Sequence, residues 1–173
     1  MKIGFKYKYY SGFGRLYEYG YKHTRMIAKE AKNMPDHKKT VLIIEDEQTL
    51  LDMYRLKFEA SEFTALTALT GEAGLEIMKT ARPDLILIDL VLGNKAAGGV
   101  LDGYEVIRRL KHDKATAHTK MCVLTNYDQD KNIENAYAAG ADDYLVKSDL
   151  TPAELVSKAR DILNGKKVGL IKK

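Results

Sequence analysis

Pro83-Asp-Leu-Ile-Leu-Ile-Asp-Leu90 sets four consecutive aliphatic residues directly in front of a carboxylate. A run this short and unbroken is what a strand looks like when both of its faces are buried, as inside a parallel sheet. Upstream, Val41-Leu-Ile-Ile-Glu-Asp-Glu47 repeats the pattern and ends in acids. Residues 63–67, 121–125 and 144–146 supply three weaker strand candidates. Helical periodicity fills the intervals, predicting helices over about 48–60, 71–80, 103–112, 129–138 and 152–164.

Start and stop signals agree with these intervals. Thr70 precedes the second helix, with Glu72 in its first turn and Pro83 beyond its end. Thr151-Pro-Ala-Glu154 reads as a capping box with proline at the first helical position. Gly140 and Gly165 follow the fourth and fifth helices, where a left-handed cap is expected. Five strands alternating with five helices imply parallel pairing through right-handed crossovers. The fold class is therefore α/β: a doubly wound, five-stranded parallel sheet in a three-layer α/β/α stack. In such sheets the working residues gather at the carboxyl ends of the strands.

That rule selects Glu45 and Asp46 after the first strand, Asp89 after the third, Thr125 at the end of the fourth and Lys147 after the fifth. Taken singly these are ordinary residues, since acids often begin helices for dipole reasons. Together, three ionised carboxylates crowd a small space and raise at least one pKa unless cations intervene. Lys147 supplies one positive charge and a divalent ion would supply the other two. Oxygen-only donors favour Mg²⁺, with Asp46 and Asp89 as direct ligands, Glu45 through water and the Val91 backbone carbonyl as a further oxygen. Asp89 is then the candidate nucleophile that takes a phosphoryl group as an acyl phosphate. Lys147 offsets the phosphoryl charge, and the Thr125 hydroxyl donates to a phosphoryl oxygen.

These segments resemble the receiver domain of two-component response regulators, of the CheY-like, single-domain type. The resemblance rests on Val41-Leu-Ile-Ile-Glu-Asp-Glu47, Pro83-Asp-Leu-Ile-Leu-Ile-Asp-Leu90, Asp102-Gly-Tyr-Glu-Val106, Val123-Leu-Thr125 and Gly140-Ala-Asp-Asp-Tyr-Leu-Val-Lys147, in order and with family-like spacing. It covers about 38–165 and implies the (βα)5 flavodoxin-like/CheY-like fold. It implies Asp89 as phosphoacceptor, Glu45 and Asp46 as the acidic pair, Thr125 as switch hydroxyl, Lys147 as the phosphate-binding lysine and Tyr144 as the switch aromatic. The plainer reading of Tyr144 is a half-buried strand tyrosine. The resemblance also implies a sensor histidine kinase or histidine phosphotransfer protein as phosphodonor, small donors such as acetyl phosphate, and a downstream protein target. The target would meet a face made by the fourth helix, fifth strand and fifth helix. The same face allows a phospho-dependent homodimer, with Asp143 and Arg160 as candidate contacts.

Two departures from the family pattern stand out. The loop after Asp89 is longer than usual, with Gly93-Asn-Lys-Ala-Ala-Gly-Gly99 as the surplus. Such an insertion costs little in closure entropy, so it reads either as a tolerated surface loop or as a lid over the acyl phosphate. The second is Lys147-Ser148, where the family has Lys-Pro with a cis bond; before serine a cis bond costs about 2.5–4 kcal/mol, so a trans bond is expected.

The rest of the chain bounds the function. Its 173 residues are 45% hydrophobic, enough for one packed domain plus extra sequence. The net +4 is uneven: residues 1–39 carry +7 and the remainder −3. Residues 1–37 form a basic leader with six of the eleven tyrosines and no sustained period, expected to be disordered or not translated. A nucleic-acid-binding arm is the sharper alternative there. Residues 166–173 read as a basic C-terminal tail. Cys122 is the single cysteine, in an apolar run, and reads as a buried hydrophobe. No apolar run approaches the ~18–20 residues that span a bilayer, so no membrane contact and a cytoplasmic protein are expected.

With few residues after Gly165, no DNA-binding domain is expected. The reading is a stand-alone phosphoacceptor that is not an enzyme beyond its own phosphorylation and dephosphorylation. Against it stand a phosphorylation-independent, receiver-like interaction scaffold and a metal-dependent phosphatase. Aspartate-nucleophile phosphatases place a second Asp two positions on, where this chain has Val91.

Overall fold

A computed structural model describes residues 7–10, 16–19, 38–93 and 99–169, and the chain divides into two units, Met1–His37 and Lys38–Lys173. In the first unit, β1 (Tyr7–Tyr10) pairs antiparallel with β2 (Leu16–Tyr19), Tyr7 opposite Tyr19 and Tyr9 opposite Tyr17. The leader was expected to be disordered or not translated. The difference has a local cause: tyrosine favours strands, and here it recurs at alternate positions on both. The remainder of the leader lies outside the described residues.

In the second unit the aliphatic runs become strands. In chain order come β3 (Thr40–Ile44), α1 (Gln48–Glu59), β4 (Thr64–Ala68), α2 (Gly71–Thr80), β5 (Leu85–Ile88), α3 (Gly103–His112), β6 (Lys120–Thr125), α4 (Asp130–Ala139), β7 (Asp143–Val146) and α5 (Pro152–Leu163). The sheet runs β4-β3-β5-β6-β7, and every pair is parallel. Alternate side chains of each strand feed two cores. Leu42, Ile44, Ile86, Ile88 and Val123 pack with Met78, Val106 and Ile133 from α2, α3 and α4. Val41, Ile43, Leu85, Leu87 and Leu124 pack with Phe58 and Leu155 from α1 and α5. That two-sided burial is why the runs carry no polar alternation.

The punctuation works locally as read. Thr70 accepts from the Ala73 N–H at 3.1 Å, and Thr151 and Glu154 close a reciprocal capping box. Gly140 ends α4 with φ +110°. Strand β4 begins at Thr64 instead of 63, because Glu62 turns the chain with φ 68°. Phe63 stays in that turn, its ring edge-on to Phe58 at 5.2 Å between centroids. Cys122 is fully buried, and burial holds its thiol well above the usual range. No cis peptide bond occurs among the described residues, so Lys147–Ser148 is trans.

The segment after α5 does not behave as a free tail. Val168 N–H and Gly169 N–H donate to the two oxygens of Asp143 at 2.9 and 2.8 Å, and Lys158 Nζ donates to Val168 O at 3.2 Å. A side chain on Gly169 would run into the Tyr144 carbonyl, which is how closely this segment lies on edge strand β7. No described helix is long and apolar enough to cross a membrane.

Candidate functional site

Sheet register does the positioning. Ile44 lies opposite Ile88, and the ladder runs one step further as the Asp89 N–H donates to Ile44 O at 3.0 Å. Glu45 and Asp89 are thereby set abreast, just past two neighbouring strands. Asp46 follows half-buried, and the three carboxylates each offer an oxygen within 4.8 Å of the others. On the far side Thr125 pairs with Val146, which places Lys147 at the head of a single 3₁₀ turn, Lys147–Asp149. Its Nζ lies 2.5 Å from Glu45 Oε2 and 2.6 Å from Asp89 Oδ2.

Glu45 is 2% exposed and Asp89 8%. Burial raises the Glu45 pKa against the opposing pull of Lys147, and the Asp89 charge adds to the rise. For Lys147 burial pulls the other way, but hydrogen bonds and attraction from Asp89 and Glu45 outweigh it, and its pKa is raised. One ammonium facing three carboxylates leaves an excess of negative charge. An oxygen-only donor set with that excess fits a hard divalent cation. The carboxylates are also held from behind: Asp89 Oδ1 accepts from Val91 N–H at 3.2 Å and Asp46 Oδ2 from Gly93 N–H at 3.3 Å.

Thr125 ends β6 and is 1% exposed. Tyr144 is fully buried, where the plainer reading had it half-buried; its hydroxyl donates to Tyr127 O at 2.7 Å. Burial pushes its phenol far up.

Two contributors escaped sequence reasoning. Gly103 opens α3 against the backbone just past β5: a Cβ there would come 2.1 Å from Asp89 O and 2.8 Å from Leu90 Cα. The Asp-Gly pair at a helix start was the available signal, since Asp102 caps α3 by accepting from Glu105 N–H at 2.8 Å. Glu72 holds the return of the long loop, accepting from the N–H groups of Val100 and Leu101 at 2.9 and 3.0 Å. Backbone donors leave no residue-type signal, so nothing in the sequence marked it. The centre of the surplus loop, and with it the lid reading, lies outside the described residues.

A family model described as the response regulator receiver domain matches residues 41–160. The phosphate regulon transcriptional regulatory protein PhoB of Pseudomonas aeruginosa is 31% identical over 125 residues, covering 72% of this chain and 52% of that protein. The DNA-binding dual master transcriptional regulator RpaA of a Synechocystis strain is 30% identical over 123 residues, covering 71% of this chain and 48% of its own length. Among solved structures, a CheY-like response regulator receiver domain protein from Methanospirillum hungatei JF-1 superposes with a TM-score of 0.65 at 25% identity. It covers 74% of this chain and 95% of the other.

These relatives correct the expected partners. The chain spans about half the length of the curated relatives it matches, and they are named as transcriptional regulators. The absence of a DNA-binding domain therefore does not follow from this sequence: a receiver is a module whose own length says nothing of what it is joined to. Of the two candidate homodimer contacts, Asp143 is corrected, while Arg160 is exposed. Asp143 is 1% exposed and engaged by the chain's own segment 168–169. Arg160 Nη2 donates to Ser61 O at 2.8 Å, and its guanidinium lies over the Phe63 ring.

Proposed function

Because this chain belongs to the response regulator receiver domain family, we propose that it is a signalling phosphoacceptor that takes a phosphoryl group from a histidine kinase on Asp89. The observation that carries the reading is the contact of Lys147 with both Glu45 and Asp89 at the rim of three clustered carboxylates.

An Asp89 carboxylate oxygen forms the new bond to phosphorus as the bond from phosphorus to the donor nitrogen breaks. Positioning and charge neutralisation carry most of such a transfer. Glu45, Asp46 and Asp89, with the Val91 carbonyl, would hold Mg²⁺, and the bound ion supplies positive charge to the phosphoryl oxygens. The Lys147 ammonium, already beside Asp89, moves its donors from carboxylate to phosphoryl oxygen. The Thr125 hydroxyl donates to the phosphoryl group, a charge-assisted bond worth about 1.5–3 kcal/mol. That bond exists only in the phosphorylated state, and its size matches the ~1–3 kcal/mol coupling typical of allostery. Tyr144, buried on β7 with its hydroxyl on Tyr127 O, is the aromatic that follows Thr125. Its movement would reshape the protein-binding face of α4, β7 and α5. The reading takes the protein to act in the cytoplasm, as a switch and not as a turnover enzyme.

Intact-mass measurement after incubation with acetyl phosphate and Mg²⁺ tests this. The expected result is a gain of one phosphoryl group that Asp89→Asn abolishes. An unmodified wild-type chain would instead indicate a scaffold, and donor hydrolysis without a stable gain a phosphatase.

A further inference from the structure

At the opposite rim of the sheet from Asp89, a cleft of about 410 Å³ opens between the ends of α2 and α3 and the 113–119 loop. Its size falls within the range of small-molecule sites, about 300–1,000 Å³. Leu75, Met78 and Leu110 line it, and Met78 and Leu110 are almost fully buried, so they form its floor. Lys79, Arg82, Arg109 and His118 line it too, all solvent-exposed, so they form its rim. An apolar floor under a cationic rim matches a molecule with an apolar body and an anionic end.

Helix dipoles account for part of the charge. Lys79 and Arg109 sit in last turns, where cations are favoured, and they pair with Glu76 at 2.5 Å and Glu105 at 2.8 Å. Both pairs are exposed and worth little, so a ligand anion can compete for these side chains. Arg82 and His118 lie outside the helices, and no described residue pairs with either. The dipole does not explain them.

The third wall is built in advance. Lys111 Nζ donates to Ala117 O, Thr119 O and Asp142 Oδ2 at 3.2, 3.1 and 2.8 Å. The Thr116 hydroxyl donates to Leu110 O at 2.7 Å. Asp113, the acid of the lining, turns its carboxylate onto its own loop, accepting from Ala115 N–H at 2.9 Å. A wall fixed before binding spares a ligand the cost of ordering it.

We propose that this cleft binds a small organic phosphate, its apolar body on Leu75, Met78 and Leu110 and its phosphate among Lys79, Arg82, Arg109 and His118. The site is separate from the phosphoacceptor pocket, so the two stand or fall independently.

Titration of the ¹⁵N-labelled full chain with AMP, without divalent ions, tests it. Saturable amide shifts are expected at Arg82, Ala115 and His118, with adenosine and inorganic phosphate each binding about tenfold or more weakly, as loss of either half of the contact implies. The double variant Arg82→Ser, Arg109→Ser should weaken AMP by about tenfold or more. Arg82→Lys, which keeps the charge, should retain binding. The amide spectra of both variants should keep the dispersion of the wild type, which reports that they fold. No saturable shift with AMP overturns the proposal. So do shifts centred on Asp89, equal binding of adenosine or phosphate, or an unaffected double variant.

Discussion

Lys147 stands between two buried carboxylates with 7% of its side chain exposed, and its removal leaves both without their cation. Breaking a buried ion pair from one side typically costs about 3–5 kcal/mol. Lys147→Met should therefore lower the urea midpoint by a stability loss of that order, and added Mg²⁺ should recover part of it. Asp89→Asn should act the opposite way. It removes one of three crowded charges and leaves Lys147 on Glu45, so its urea midpoint should exceed that of the wild type. At this scale Glu45, Asp46, Asp89, Thr125 and Lys147 were legible because strand ends can be located by counting along the chain. Glu72 and Asp143 were not. Their partners are the backbone N–H groups of Val100, Leu101, Val168 and Gly169, donors that every residue type but proline carries.

Each helix of the second unit begins where its neighbours need it, and α3 shows the constraint most tightly. Asp102 fixes its start and Gly103 lets that start rest on the Asp89 carbonyl. A methyl group there meets the Asp89–Leu90 backbone and cannot be rotated away. Gly103→Ala should cost about 1–3 kcal/mol as an overpacking change and slow acetyl phosphate labelling, which stopped-flow or timed mass measurement would follow. Asp102→Ala, which loses only the cap, should cost about 1 kcal/mol and leave labelling intact.

The segment after α5 offers a second element-scale test. Asp143 holds the N–H groups of Tyr144, Val168 and Gly169. Asp143→Ala should strip the amides of Val168 and Gly169 of exchange protection while those of β6 remain slow. The helices and inner strands were readable from hydrophobic period and caps. This segment was not, because short basic sequence carries no pattern of its own and takes its shape from the strand it meets.

For the molecule as a whole, carboxylates set the acid limit. Hydrogen bonds from the Val100 backbone and elsewhere hold Glu72 below the usual range. At Asp84 and Asp142 burial pushes upward, but hydrogen bonds and ion pairs with Lys39 and Lys111 outweigh it. A depressed carboxylate contributes stability that is complete above its unfolded pKa, about 4, and is lost as pH falls through the folded value. Glu45 opposes this, since its pKa is raised and its ionisation costs stability. The urea midpoint should therefore not fall between about pH 7 and 5, where Glu45 can only raise it, and should fall below about pH 4. A midpoint that has not fallen by about pH 3 would show that these bonds do not outweigh the opposing effect of Glu45.

The pocket draws on both extremes of this α/β unit: Glu45 follows its first strand, Asp89 its middle one, and Lys147 arrives only after the last. A ribosome must therefore finish β7, and that strand must join the sheet edge, before Lys147 can meet Asp89. On the proposed reading, a chain halted before β7 cannot be labelled, so only molecules that have completed this sheet would respond.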